Sequence, residues 1–128
     1  MKIAVLVARI LLGLIFFVFG LNGFFHFLPQ PQMGDEAAKF MMGLAGSGYF
    51  FPFLKICETL SGALLLAGVY VPLALLILSP IVVNIFLFHL FLDHAGLPIA
   101  ILLVVLMIFL GYAYREYYKS IFTHKAEI

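Results

Sequence analysis

Apolar residues run through this chain in four long blocks separated by short polar intervals: Ile3 to Leu28, Pro52 to Tyr70, Pro72 to Leu92 and Pro98 to Tyr114. Each block is near the roughly 20 residues that an α-helix needs to cross about 30 Å of hydrocarbon at about 1.5 Å per residue. The pattern predicts an all-α fold: one domain, an integral membrane four-helix bundle with spans at about 3–28, 52–70, 72–92 and 98–114. A proline opens each of the last three spans (Pro52, Pro72, Pro98), where its missing N–H leaves no helical bond unmade. The turns "GVYVP" and "DHAGLP" are short, so the spans they join run antiparallel.

The first connection is longer and only partly polar. Within it, residues 35–45 predict a short interfacial helix with Phe40, Met41 and Leu44 on its apolar side, stopped by "GSG" at 46–48. The first block is expected to be a retained span, because its apolar run continues through "IFFVFGLNGFFHF" well past the length of a signal core. Span three carries Pro80 in its interior, which frees the carbonyl of Leu76 and predicts a kink, with Ser79 near enough to help fill the gap.

Composition agrees with this pattern: 66% of the residues are hydrophobic and 10% charged, more apolar surface than a soluble core absorbs. Cys57 is the only cysteine, which excludes an internal disulfide or a Cys-x-x-Cys redox pair. A formal net charge of +1 without a basic cluster gives no reason to expect nucleic acid as a partner.

The few charges set an expected orientation. Lys2 and Arg9 stand at the start of span one, and Arg115, Lys119 and Lys125 follow span four, which places both termini on the cytoplasmic face of a cell inner (plasma) membrane. Tyr70, Tyr112, Tyr114, Tyr117 and Tyr118 fall at the same end, and Tyr49 marks the other.

In that frame the polar side chains gather in the outer half. Asn22 and Glu58 lie roughly 9 Å below the outer ends of their helices, Asn84 roughly 12 Å, and His26, Lys55 and His89 roughly 3 to 5 Å. Asn22 and His26 share one face of span one, and Lys55, Glu58 and Gly62 share one face of span two. Asn84 and His89 are about 140° apart around span three, so at most one of them is expected to face a common centre.

The functional reading is a pocket beneath the interfacial helix, floored by Glu58, Asn22 and Asn84 and rimmed by His26, His89 and Lys55. Such a pocket suits a lipophilic molecule with a polar head, for example a quinone, whose carbonyl oxygens need donors and whose reduction needs protons. The plainer reading makes Lys55 and Glu58 an i, i+3 ion pair and the amides and histidines interhelical hydrogen bonds. His26, His89 and Glu58 carry metal-ligand atoms, but no His-x-x-x-His or similar spacing supports a metal site. Gly13, Gly20, Gly23, Gly62 and Gly68 are expected to allow close helix approach.

Three stretches, "ARILLGLIFFVFGLNGF", "KICETLSGALLLAGVYVPLALLIL" and "PIVVNIFLFHLFLD", resemble the DoxX-like family of small four-helix membrane proteins across residues 8 to 112. The resemblance implies a four-helix membrane bundle with Glu58 at the family's acidic position and Arg9 at its opening arginine. The founding members are described as small subunits of a thiosulfate:quinone oxidoreductase, and distant relatives act in membrane-protein assembly. A lysine often follows the span-one glycine in the family, whereas this chain reads "GLNGFFHF".

Two functions follow as expectations: a quinone-binding component of an oxidoreductase that relies on a redox partner protein, or a non-enzymatic assembly or scaffold protein, with a homo-oligomer compatible with either. Transport is less well supported, because paired carboxylates and paired broken helices are missing.

Overall fold

A computed structural model describes residues 1–26 and 33–127, so the last two residues of the expected first span, Phe27 and Leu28, lie outside the described residues. Five α-helices follow in order: α1 (Lys2–Phe25), α2 (Asp35–Gly46), α3 (Phe50–Ala67), α4 (Val71–Phe91) and α5 (Leu97–Ala113), with 3₁₀ turns at His94–Gly96 and Arg115–Phe122. Lys2–Phe25, Phe50–Ala67, Val71–Phe91 and His94–Ala113 are each long and apolar enough to cross a membrane. The expected short helix between the first two spans is α2.

The bundle closes as a ring in which α1 packs on α3, α3 on α4, α4 on α5 and α5 back on α1. Its core is apolar, centred on Leu12 and Phe16 of α1, Leu65 of α3, Leu75 and Leu78 of α4, and Leu103 and Leu110 of α5. The outer surface is also apolar, with Leu14, Leu60, Val83 and Ile108 among its exposed side chains. Apolar residues all round a helix are what lipid permits, and internal packing then comes from shape rather than from escape from water.

Shape is most evident between α1 and α3. A Cβ on Gly62 would strike the backbone of Phe17 and Gly13, and a Cβ on Gly13 would come 3.0 Å from the amide nitrogen of Leu66. Gly20 lies against Thr59, and Gly23 lies against the aliphatic stem of Lys55. The glycines expected to permit close approach are therefore mostly used in this one crossing, which holds α1 and α3 in fixed register.

The end of α3 is capped twice. Gly68, at φ +76, turns the chain so that its own N–H and that of Val69 both reach the carbonyl of Leu64, at 2.9 and 3.2 Å. Arg9 reaches across from α1, its Nη1 donating to the carbonyl of Leu65 at 3.0 Å. A residue read from sequence as an orientation signal is thus also a helix cap. At the same end the hydroxyl of Tyr118 donates to the carbonyl of Pro72 at 2.8 Å, tying the C-terminal 3₁₀ turn to the start of α4.

At the opposite end, α2 stops at Gly46 as the "GSG" stretch predicts. Ser47 donates its hydroxyl to the carbonyl of Leu44 and accepts from the N–H of Phe50, so one side chain serves the end of α2 and the beginning of α3. Gly48, at φ +82, makes the turn between them. Ala37 of α2 is fully buried, and Phe40 stacks on Phe88 of α4 with ring centres 5.6 Å apart, so α2 lies over the end of the bundle. Ser79 donates to the carbonyl of Leu75, not to the Leu76 carbonyl that Pro80 deprives of its helical donor.

Candidate functional site

The α1–α3 crossing fixes the first wall of the site. Because Gly23 presents no side chain, the stem of Lys55 lies directly on α1, and its ammonium is directed along α3 toward Glu58. Lys55 Nζ is 2.9 Å from Glu58 Oε1. Glu58 is only 3% exposed, and this is an ion pair largely withdrawn from its surroundings rather than a surface bridge. The hydroxyls of Thr59 and Ser61 on the same helix are buried with no hydrogen-bond partner among the described residues, which extends the polar layer around the carboxylate.

Above this layer lies a cavity of about 470 Å³. Asn22, Gly23 and His26 of the α1 end and Lys55 of α3 form one side, and Met33, Met41, Met42 and Phe51 contribute to the rest. His26 occupies the left-handed region, at φ 52 and ψ 45, and its N–H closes the last turn of α1 on the carbonyl of Asn22 at 2.8 Å. A non-glycine residue in that region is strained, and such strain concentrates at sites where a side chain must be aimed.

The structure brings together three of the six expected residues. Asn22, His26 and Lys55 line the cavity, and Glu58 stands behind Lys55 as its counter-ion. Asn84 and His89 are not among the residues that line the cavity, which departs from the expected place of Asn84 in its floor and of His89 on its rim. Asn84 is exposed on the outer face of α4, where its Nδ2 donates to the carbonyl of Pro80 at 2.9 Å. His89 is held within its own turn, Nδ1 lying 3.1 Å from the carbonyl of Asp93 and 3.6 Å from its carboxylate, with its ring filling the space that Gly96 leaves open. The reason is rotational: depth places these two residues in the polar layer, but α4 turns their positions away from α1.

The sequence reading gave Met41 to the apolar side of α2 but did not identify Met33, Met42 and Phe51 as cavity wall. For Met42 the signal available was the "FMMG" cluster, since methionine is a flexible and polarizable lining for apolar groups. Among the described residues no group of three or more His, Cys, Asp and Glu side chains converges on one point.

The cavity combines donors on one side with thioethers and an aromatic ring on the other, within the roughly 300–1,000 Å³ range of small-molecule pockets. Compared with known proteins, the chain matches the DoxX family model over residues 4–91. No curated protein matches, and no solved structure does.

Proposed function

The chain belongs to the DoxX family, and on that footing we propose that it is a quinone-binding subunit of a membrane oxidoreductase, with the site beneath α2. The observation that carries this reading is the divided lining of the cavity: Asn22, His26 and Lys55 on one side, Met33, Met41, Met42 and Phe51 on the other. A quinone head is a flat apolar ring with two carbonyl acceptors, and it supplies two-electron, two-proton redox chemistry when bound. Asn22 and His26 present donors for the carbonyl oxygens, and the methionines and Phe51 offer the ring an apolar bed. Lys55 and His26 are the groups that can pass protons into the cavity, and Glu58 holds Lys55 at its edge. Electrons come from a redox centre on a partner protein, so this subunit supplies the binding site for the quinone and not the reductant.

In this reading the termini face the cytoplasm of a plasma-membrane protein and the cavity opens toward the outer side, as the basic residues Lys2, Arg9, Arg115 and Lys119 at the opposite end favour. The scaffold alternative draws less support, because Gly13, Gly20, Gly23 and Gly62 are occupied by the α1–α3 contact and are not free to receive another protein's helix.

The test is direct. Protein purified from its native membrane in mild detergent should carry quinone detectable by mass spectrometry, and ubiquinone or menaquinone analogues should raise the melting temperature of quinone-depleted protein. Absence of both effects would rule the reading out.

A further inference from the structure

Asn84 is the exposed polar side chain that the site leaves unexplained. It lies in α4 about 10 Å from the Phe91 end, well inside the hydrocarbon layer of a spanning helix. One amide N–H is used on the carbonyl of Pro80, and among the described residues neither the second N–H nor the amide oxygen has a further partner. Around it the surface is Leu76, Pro80, Val83 and Leu87, all exposed. Lipid offers that amide no partner, and in hydrocarbon an unmet donor and an unmet acceptor are each costly.

We propose that this face of α4 is the dimerisation surface for a second copy of the chain, with Asn84 of one copy hydrogen-bonded to Asn84 of the other. Three observations select a second copy over another partner. An amide carries both donor and acceptor, so it complements itself across a two-fold axis and both open groups are met at once. A second copy inserted in the same membrane has the same topology, so its Asn84 stands at the same depth without further design. Pro80, Asn84, Leu87 and Phe91 are all exposed and spaced four, three and four residues apart, so Asn84 stands within the seam along which two parallel helices pack, where a single asparagine fixes their register. The inference is independent of the quinone reading, since neither Asn84 nor its neighbours line the cavity.

The experiment measures association of labelled chains by energy transfer in phosphatidylcholine bilayers over a range of protein-to-lipid ratios. The wild type should dimerise, Asn84→Leu should weaken the dimer about tenfold, and Asn84→Gln should retain it. Because the Asn84 side chain is exposed and its hydrogen bond stays within its own helix, Asn84→Leu should keep full helicity by circular dichroism. In a Cys57→Ala background, Leu87→Cys should cross-link between copies on mild oxidation. A wild type that stays monomeric, or a dimer unaffected by Asn84→Leu, would each overturn the proposal.

Discussion

Lys55 Nζ lies 2.9 Å from Glu58 Oε1, and the two side chains differ in exposure: 24% for the lysine and 5% for the glutamate. The lysine faces both the cavity and the acid, so the pair connects the buried polar layer to the site. Removing the cation alone strands a carboxylate that has little access to water. Lys55→Met should destabilise the bundle by on the order of 3 kcal/mol, whereas Lys55→Met combined with Glu58→Leu should recover most of the loss. Unfolding in mixed detergent micelles measures both. Equal losses in the single and double variants would show that the packing of the lysine stem on Gly23, not the charge, is what matters.

The contact between Gly13 and Gly62 admits no side chain, because the obstructing atoms are backbone. Gly62→Ala should lower stability by about 1–3 kcal/mol, the usual range for overpacking a tight contact. Gly111, which has open space around it, is the control, and alanine there should be neutral or slightly stabilising. Thermal unfolding of the two variants side by side tests the assignment.

Arg9 meets the Leu65 carbonyl through a charge-assisted bond at a helix C-terminus, where positive charge is favoured. Arg9→Met should cost about 1–3 kcal/mol and increase hydrogen exchange at residues 66–69. Arg9→Lys should recover only part of this, because a lysine lacks the planar fork that reaches across from α1.

Tyr118 titrates above the ordinary tyrosine value of 10.0, first because it is partly buried and then because Tyr114 is near. The folded state therefore holds the phenolic proton more tightly than the unfolded chain. The stabilisation is fully present below about pH 10 and is lost as pH rises through the folded value. The C-terminal 3₁₀ turn should loosen in that range, seen as faster tryptic cleavage at Arg115 and Lys119 with a pH-independent protease-activity control. Tyr118→Phe should cleave faster even at neutral pH, having lost the bond to Pro72, and should lose this pH dependence.

Filling the cavity tests the site without altering its donors. Met41→Trp should abolish the thermal shift given by quinone analogues while leaving the melting temperature of the free protein within a few degrees. Retained binding in a well-folded Met41→Trp protein would place the ligand elsewhere.

How much of the site could be read in advance differed by residue. Asn22, His26 and Lys55 could be placed in one layer from sequence because each lies within two turns of a helix end that the apolar pattern marks clearly. Glu58 was found with Lys55 by their i, i+3 spacing, although its position behind the cavity depends on the packing of α3. Asn84 and His89 were at suitable depth, yet a continuously apolar helix such as α4 gives no amphipathic stripe from which to tell its inward face. The roles of Met33, Met42 and Phe51 depend on where α2 lies, which the connecting segment alone does not encode.

The sequence by itself determined the number of spans, their approximate limits, the short helix between the first two and the layer in which polar groups lie, because these follow from length, apolar runs and helical rise. Only the tertiary structure decided which residues in that layer meet. Rotation of a helix about its own axis is set by close contacts with its neighbours: Gly13 on Gly62 and Gly23 on Lys55 turned Asn22 and Lys55 toward the cavity, while the packing of α4 on α3 and α5 left Asn84 on the outer surface.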